Sequence, residues 1–191
     1  NVSVICWACC LRRYDRPVLD HLYLIVTGAG TARRVPGILP RLAQLGPRLV
    51  VIPTPNAARV VSVREMVLAL PAGSPHRVVE SYFDEAILPS PPPGLVVVAP
   101  CSFNSLNKLA AGIADNLALS VVAEAIGRGT PVIVAISVNV PLWNHPRARA
   151  SAAGLREWGV DVIDPAPDGE VITMAPDDVL IERVRGRLER P

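Results

Sequence analysis

The sequence predicts one three-layer α/β domain, a parallel sheet with helices on both faces. Three observations predict it. Short, nearly continuous apolar runs recur along the chain; they end in turn residues; and segments of helical periodicity separate them. A strand covered on both faces reads as such a run, and alternation with helices makes the strands parallel.

His21 to Thr27 (HLYLIVT) reads as the first buried strand, running into the tight turn Gly28-Ala29-Gly30-Thr31. Ala32 to Leu45 follows as a helix: Val35, Ile38, Leu39, Leu42 and Leu45 recur every three or four residues, and Gly46 closes it. Arg48 to Pro53 is the second strand. Thr54-Pro55-Asn56 turns into a loosely periodic helix, Ala57 to Leu70. Pro71 to Pro93 is rich in turn residues, with Val78 and Val79 as a short strand and Pro91-Pro92-Pro93 as a stiff connector. Gly94 introduces the strand Leu95 to Ala99. Beyond Pro100 to Ser105, one long helical pattern reaches Ile126, with Leu106, Leu109, Ile113, Leu117, Val121, Val122 and Ala125 on one side and Gly127 and Gly129 at its end. Pro131 to Ile136 is a strand, Pro146 to Trp158 a helix, Val160 to Ile163 a last short strand, and Pro176 to Arg190 a terminal amphipathic helix. The whole is of Rossmann-like or flavodoxin-like type: residues 1–20 form a variable N-terminal tail and residues 21–191 a single domain.

Composition narrows the function classes. The 191 residues suffice for one well-buried core and are too few for two ordinary domains. Net charge is +2, with arginines and acidic residues interspersed and Lys108 the sole lysine, so there is no electrostatic footprint for nucleic acid. Cys6, Cys9 and Cys10 crowd the first ten residues and Cys101 stands alone, which is no disulfide framework. Cys6-x-x-Cys9 lacks the second ligand pair that a structural zinc needs, so no metal is expected. The apolar run Val2 to Leu11 is too short to span a bilayer, and Arg12 and Arg13 follow it where a secretory signal carries its charges in front. A cytoplasmic protein with no membrane partner is the expectation.

In such sheets ligands bind outside the carboxyl ends of the strands. Gly28 to Thr31, Thr54, Ser102 to Ser105, and Ser137 to Asn139 all occupy strand-end turns. Gly28 and Gly30 permit close backbone approach, and the helix that follows offers unpaired N–H donors to a phosphate. The glycine spacing falls short of the dinucleotide fingerprint, and Ile52-Pro53 stands where an acidic residue would meet a ribose, so a mononucleotide fits better than NAD.

Two blocks then carry a resemblance. Ala99-Pro100-Cys101-Ser102-Phe103-Asn104-Ser105, with Gly112-Ile113-Ala114-Asp115-Asn116-Leu117 after it, resembles the PASANT and GIADNL segments of the homo-oligomeric flavin-containing cysteine decarboxylases. Val138 to Pro146 (VNVPLWNHP) is similar to that family's substrate-binding PxMNxxMW motif and the HP after it. The resemblance implies FMN bound between subunits of a trimer that often assembles into a dodecamer. It implies that Gly28, Gly30, Thr31 and Thr54 hold the phosphate and ribityl end. Pro100, Cys101, Ser102, Asn104 and Ser105 would line the flavin, and Asp115 and Asn116 would complete the pocket. Asn139 matches the residue that grips the substrate carboxylate, Leu142 replaces a methionine against the ring, and Trp143 is retained on the substrate side. Met174 ends the resemblance beside a substrate-covering clamp and is a substrate-binding candidate, although a core role is the plainer reading of Met174 and of Trp158.

Family chemistry oxidises a cysteine side chain to a thioaldehyde with hydride passing to the flavin, after which carbon dioxide leaves and an enethiolate remains. The resemblance is closest to the epidermin-like peptidyl-cysteine decarboxylases, which act on the C-terminal cysteine of a ribosomally made precursor peptide and yield an aminoenethiol. The phosphopantothenoylcysteine branch uses a cysteine in a later loop, and no cysteine follows Cys101, while the clamp segment Asp164 to Met174 is short. Flavin prenyltransferases lack the Asn-x-x-x-Trp block seen at Asn139 to Trp143. The family's catalytic base is a histidine in a pattern like H-I-x-I; here the region reads Tyr82 to Leu88, and Asp84 falls nearest that position. His76 lies further upstream, where an irregular loop would have to bring it back. His145 reads as a helix-start residue and His21 as a strand-edge residue. The missing histidine keeps a second class open, a non-catalytic FMN-binding regulatory protein like the halotolerance-type phosphatase inhibitors.

Overall fold

The computed structural model describes residues 19–88, 90–169 and 171–189. The expected N-terminal tail and its three cysteines therefore lie, but for residues 19 and 20, outside the described residues. Six strands, β1 (His21–Val26), β2 (Arg48–Pro53), β3 (Arg77–Val78), β4 (Gly94–Cys101), β5 (Val132–Ile136) and β6 (Asp161–Ile163), form one sheet in the order β3-β2-β1-β4-β5-β6. Every pairing in it is parallel. That order is the Rossmann one rather than the flavodoxin one.

Alternation along each strand builds two cores. Leu22, Leu24 and Val26 face one side with Leu49, Val51, Leu95 and Val97, covered by α1 (Val35–Ala43), α2 (Val63–Ala69) and α7 (Asp177–Glu189). Tyr23 and Ile25 face the other side with Val50, Ile52, Val96 and Val98, covered by α3 (Phe103–Ala110), α4 (Leu117–Gly127) and α6 (Pro146–Glu157). The strands are buried nearly throughout, which is why they read as continuous apolar runs.

Three predicted helices begin late or break. The first α-helix starts at Val35, because Pro36 suits an opening turn; Gly30–Arg34 before it forms a tighter 3-10 turn. The span Ala57 to Leu70 divides into a 3-10 turn (Ala57–Arg59) and α2, which Ser62 and Glu65 open as a reciprocal capping box. The long helix to Ile126 is two helices. Gly112 takes a left-handed φ of 68°, the N–H of Ile113 bonds the Lys108 carbonyl at 2.9 Å, and Asn116 caps the start of α4. Ile113 consequently lies 46% exposed instead of on the apolar side. The short helix α5 (Val140–Asn144) has no counterpart in the sequence reading, and the segment expected as a clamp, Asp164 to Met174, forms a separate antiparallel hairpin of β7 (Ala166–Asp168) and β8 (Val171–Thr173). Trp158 is half exposed at the end of α6, not a core residue.

Two histidines sit at the lower end of the sheet. His76 Nδ1 accepts the Leu49 N–H at 2.9 Å, and His21 stacks on Tyr23 with its Nδ1 buried and without a partner among the described residues. Burial first and the Arg48 charge second lower both pKa values from 6.5. The folded state therefore binds fewer protons than the unfolded chain, so the penalty is absent above pH 6.5 and grows as pH falls below it. Urea denaturation is expected to show a lower midpoint at pH 5 than at pH 7.5, with a smaller drop in the His21→Asn/His76→Asn double variant.

Candidate functional site

The carboxyl ends of β1, β2, β4 and β5 open onto one cleft of about 780 Å³, of a size that takes small cofactors. Strand order reverses between β1 and β4, so their end loops part and leave a crevice. Thr27, fully buried, stitches its floor. Its N–H and Oγ1 donate to the Pro100 carbonyl at 3.3 and 2.7 Å, and Oγ1 accepts the Ser102 N–H at 2.8 Å. Ser102 then caps α3, accepting the Ser105 N–H at 3.4 Å and donating to Ser105 Oγ at 3.2 Å.

The first wall is the loop Gly28 to Thr31. A β-carbon on Gly28 would stand 2.7 Å from Asn56 Cβ, so the approach of the β1 and β2 loops excludes any side chain there. At Gly30 the same test meets nothing within 4 Å: the space beside it is open. The first N–H groups of the turn Gly30–Arg34 lack partners within the turn, and Thr31 Oγ1 lies 2.6 Å from Ser137 Oγ. Thr54, buried beneath, spends its hydroxyl oxygen on the Ala57 N–H at 3.2 Å.

The opposite wall comes from the break between α3 and α4. Lys108 is ion-paired to Asp115, and Asn116 donates to Asp115 Oδ1 at 3.0 Å while its own Oδ1 caps the Leu119 N–H at 3.1 Å. The Lys108 hydrogen bond, followed by its charge, holds the Asp115 carboxyl below the usual carboxylate range. On the rim, Asn139 Oδ1 caps α5 by accepting the Leu142 N–H at 3.1 Å, and its Nδ2 has no partner among the described residues. Ile172 and Thr173 reach the cleft from the hairpin. Hydroxyls, amides and free N–H groups thus share one chamber with the apolar Phe103, Leu119, Val138, Leu142 and Ile172.

The family model described as "Flavoprotein" matches residues 14–189. The chain belongs to the Flavoprotein family. Among similar proteins, the coenzyme A biosynthesis bifunctional protein CoaBC of Bacillus subtilis (strain 168) is 29% identical over 153 residues, 76% of this chain and 36% of that protein. The phosphopantothenoylcysteine decarboxylase of Arabidopsis thaliana is 37% identical over 71 residues, 37% of this chain and 34% of that protein. These matches span about a third of the length of those relatives. In solved structures the fold recurs in the peptidyl-cysteine decarboxylase EpiD, with a TM-score of 0.71, 19% identity, and 87% of this chain against 98% of that one. It recurs also in the FMN-dependent cysteine decarboxylase TvaF from thioviridamide biosynthesis, with a TM-score of 0.69, 23% identity, and 89% against 98% coverage.

Of the residues the sequence singled out, the flavoprotein cleft gathers Gly28, Gly30, Thr31, Thr54, Ser102, Asn104, Ser105, Asp115, Asn116, Asn139 and Leu142. Five others lie elsewhere. Pro100 contributes its carbonyl to the floor, beneath the lining, and Cys101 is wholly buried, its thiol pKa raised by burial. Trp143 packs on the core beside α6 under the Arg149 guanidinium, 5.1 Å from its ring centroid. Met174 places its side chain in the core at 1% exposure, so the cleft contact expected of it comes from Ile172 and Thr173 instead. Asp84 braces its own loop, accepting the Ala86 N–H at 2.8 Å and Arg77 Nη1 at 3.2 Å, outside the single-chain cleft. His76 is likewise not brought back to the cleft, and His145 caps α6 through the Arg147 N–H at 3.1 Å, edge-on to Phe103. Sequence reasoning missed Asn56 and Lys108, and it gave the segment Asp164 to Met174 as a clamp without naming Ile172 and Thr173; the lone lysine, three residues after the first flavin-like block, was a usable signal for the second.

Gly28→Ala is expected to lower the urea midpoint by the equivalent of about 1–3 kcal/mol, the usual cost of forcing an extra carbon into packed structure. Gly30→Ala is expected to leave the midpoint unchanged, since its β-carbon meets open space. Paired denaturation curves check both.

Proposed function

We propose that this flavoprotein holds FMN in the cleft and carries out oxidative decarboxylation of a C-terminal cysteine on a ribosomally made peptide. The observation that carries the reading is Asn139: helix capping fixes its oxygen and leaves its Nδ2 donors on the rim of a cleft built for a mononucleotide. The cleft suits FMN on its own chemistry. The open space at Gly30, the free N–H groups after it and the hydroxyls of Thr31, Ser137 and Ser102 suit a phosphate and a ribityl chain, and the apolar lining suits a ring. Structural neighbours point the same way: TvaF is an FMN-dependent cysteine decarboxylase, and AtHal3 is an FMN binding protein.

The chemistry FMN supplies when bound is two-electron oxidation of the cysteine side chain. Asn139 would donate to the substrate carboxylate and hold the cysteine against the ring. The Lys108–Asp115–Asn116 chain keeps the far wall in place, and Ile172 and Thr173 shield the reacting carbon from water. The Cα–carboxylate bond breaks, carbon dioxide leaves with its electron pair taken up by the thiocarbonyl, and the peptide has lost carbon dioxide and two hydrogens in all.

Among the described residues no uncommitted proton acceptor lines the cleft, since Asp115 is paired to Lys108. The reading assigns that role to Asp84 of a neighbouring subunit in a trimer, which further assembles into a dodecamer. Phe83 beside it is 87% exposed and Tyr82 and Leu88 about half exposed, the apolar surface such an assembly would cover. A cytoplasmic setting follows, where the precursor peptide is made.

Two other readings have observations of their own. Sequence relatives are named phosphopantothenoylcysteine decarboxylases, which favours that substrate, although no cysteine follows Cys101 to act from the hairpin. None of the three histidines lines the cleft, which favours a regulatory FMN-binding protein.

The experiment mixes the FMN-loaded protein with peptides ending in cysteine and, separately, with phosphopantothenoylcysteine. Loss of the mass of formic acid from the peptide is expected. Loss of carbon dioxide alone from phosphopantothenoylcysteine would move the assignment to that branch, and failure to take up FMN would sink it altogether. Asn139→Asp keeps the capping oxygen and removes the donors, and is expected to lower kcat/KM about 100-fold, as for a lost hydrogen bond to a charge. Asp84→Asn still accepts the Ala86 N–H, and is expected to keep FMN while slowing turnover about 100-fold or more. Unchanged turnover there would leave Asp84 as a loop brace only.

A further inference from the structure

The hairpin over the cleft does not belong to the main sheet. A free two-stranded hairpin is marginally stable at best in water, so its place depends on what grips its ends. Upstream, Arg156 holds Asp164 at 2.7 Å. Downstream, the Met174 side chain is buried, and one guanidinium collects the backbone that follows it. Arg34 donates from Nη1 to the Met174 carbonyl at 3.3 Å and from Nη2 to the Ala175 carbonyl at 3.2 Å, and it is ion-paired to Asp177 at the start of α7. Arg34 is also the last residue of the 3-10 turn whose opening residues, Gly30 and Thr31, line the cleft. One side chain therefore joins the loop on the cofactor side to the root of the strand that carries Ile172 and Thr173.

We infer that Arg34 is a positioning residue that ties the hairpin to the cofactor loop, so that a ligand settling on Gly30 and Thr31 also steadies the hairpin over the cleft. The second half rests on the FMN reading; the first does not. A planar fork is what the three acceptors require: two carbonyls and a carboxylate lie in different directions, and a lysine ammonium on a flexible stem cannot hold them in one fixed arrangement. By linkage, any steadying of the hairpin by FMN returns as tighter FMN binding, and substrate held under the hairpin gains by the same factor.

Hydrogen exchange of the full chain, followed by mass spectrometry of the segment 164–175, tests both halves. Without ligand, Arg34→Met is expected to speed exchange in that segment about tenfold or more, the scale of lost bonds to a charged donor, while β1 and β4 exchange as before. Arg34→Lys should fall between. Unchanged exchange in Arg34→Met would overturn the proposal. If that variant fails to fold, Asp177→Asn, which frees one grip of the guanidinium, must give a smaller acceleration confined to the same segment, and no acceleration overturns the proposal equally. With FMN, the native hairpin is expected to slow further and the Arg34→Met hairpin not to respond; equal slowing in both would refute the coupling. A native protein that takes up no FMN would end the cofactor reading and the coupling together, while the ligand-free comparison still decides whether Arg34 holds the hairpin.

Discussion

The structure turns on one buried threonine. Where strand order reverses, β1 and β4 are neighbours whose end loops leave in different directions, and the backbone joins them there by one long bond, from the Thr27 N–H to the Pro100 carbonyl at 3.3 Å. Thr27 adds to it by using its hydroxyl twice, as donor to the Pro100 carbonyl and as acceptor from the Ser102 N–H. A hydroxyl in a fully buried place is costly unless both capacities are met, and here both are. The bridge sets where α3 begins, because Ser102 caps that helix in turn.

A second constraint follows from the same economy of polar groups. Ser102, Asn116 and Asn139 are helix caps and cleft residues at once. Each spends an oxygen on a backbone N–H. The amide nitrogen of Asn116 then goes to Asp115, while that of Asn139 has no partner among the described residues. Capping thus orients the amides, since an oxygen committed to a helix N–H determines where the NH₂ lies. A structural reading and a functional reading of such residues are not rivals, because the cap is what pre-orients the donor.

Legibility in the sequence divides along physical lines. Strands buried on both faces announce themselves, and β2 was read with its bounds intact. The cleft was legible because its residues follow strands, and two motif blocks ordered them. What escaped was set by local chemistry. The reciprocal pair Ser62 and Glu65 marked a helix start in plain sight, and Gly112 marked a helix end, but both lay inside longer apolar patterns that read as continuous helix. The hairpin was hidden for another reason: strands of three residues paired only to each other carry too little periodicity to register. Trp143 shows the limit of carrying a role by position alone, and Met174 shows its plainer core reading prevailing over the carried one. Each lies next to the site in sequence, and core packing claims the side chain.

The cleft is well supplied with donors, yet among the described residues no histidine and only one carboxylate lines it. The one acidic group among its described lining residues, Asp115, is committed to Lys108, whose hydrogen bond and charge lower its pKa. A single subunit can therefore bind and orient but has little with which to move a proton. Outside this cleft a loop presents Phe83, Tyr82 and Leu88 to solvent around a carboxylate braced by Arg77 and the Ala86 N–H. Exposed apolar side chains clustered in one loop mark a contact surface more often than a free one. Bracing holds Asp84 in a defined place on that surface, which matters only if something is to meet it. In the proposed assembly the donors belong to one chain and the acceptor to the next, so association would complete the chemistry rather than merely stabilise the fold.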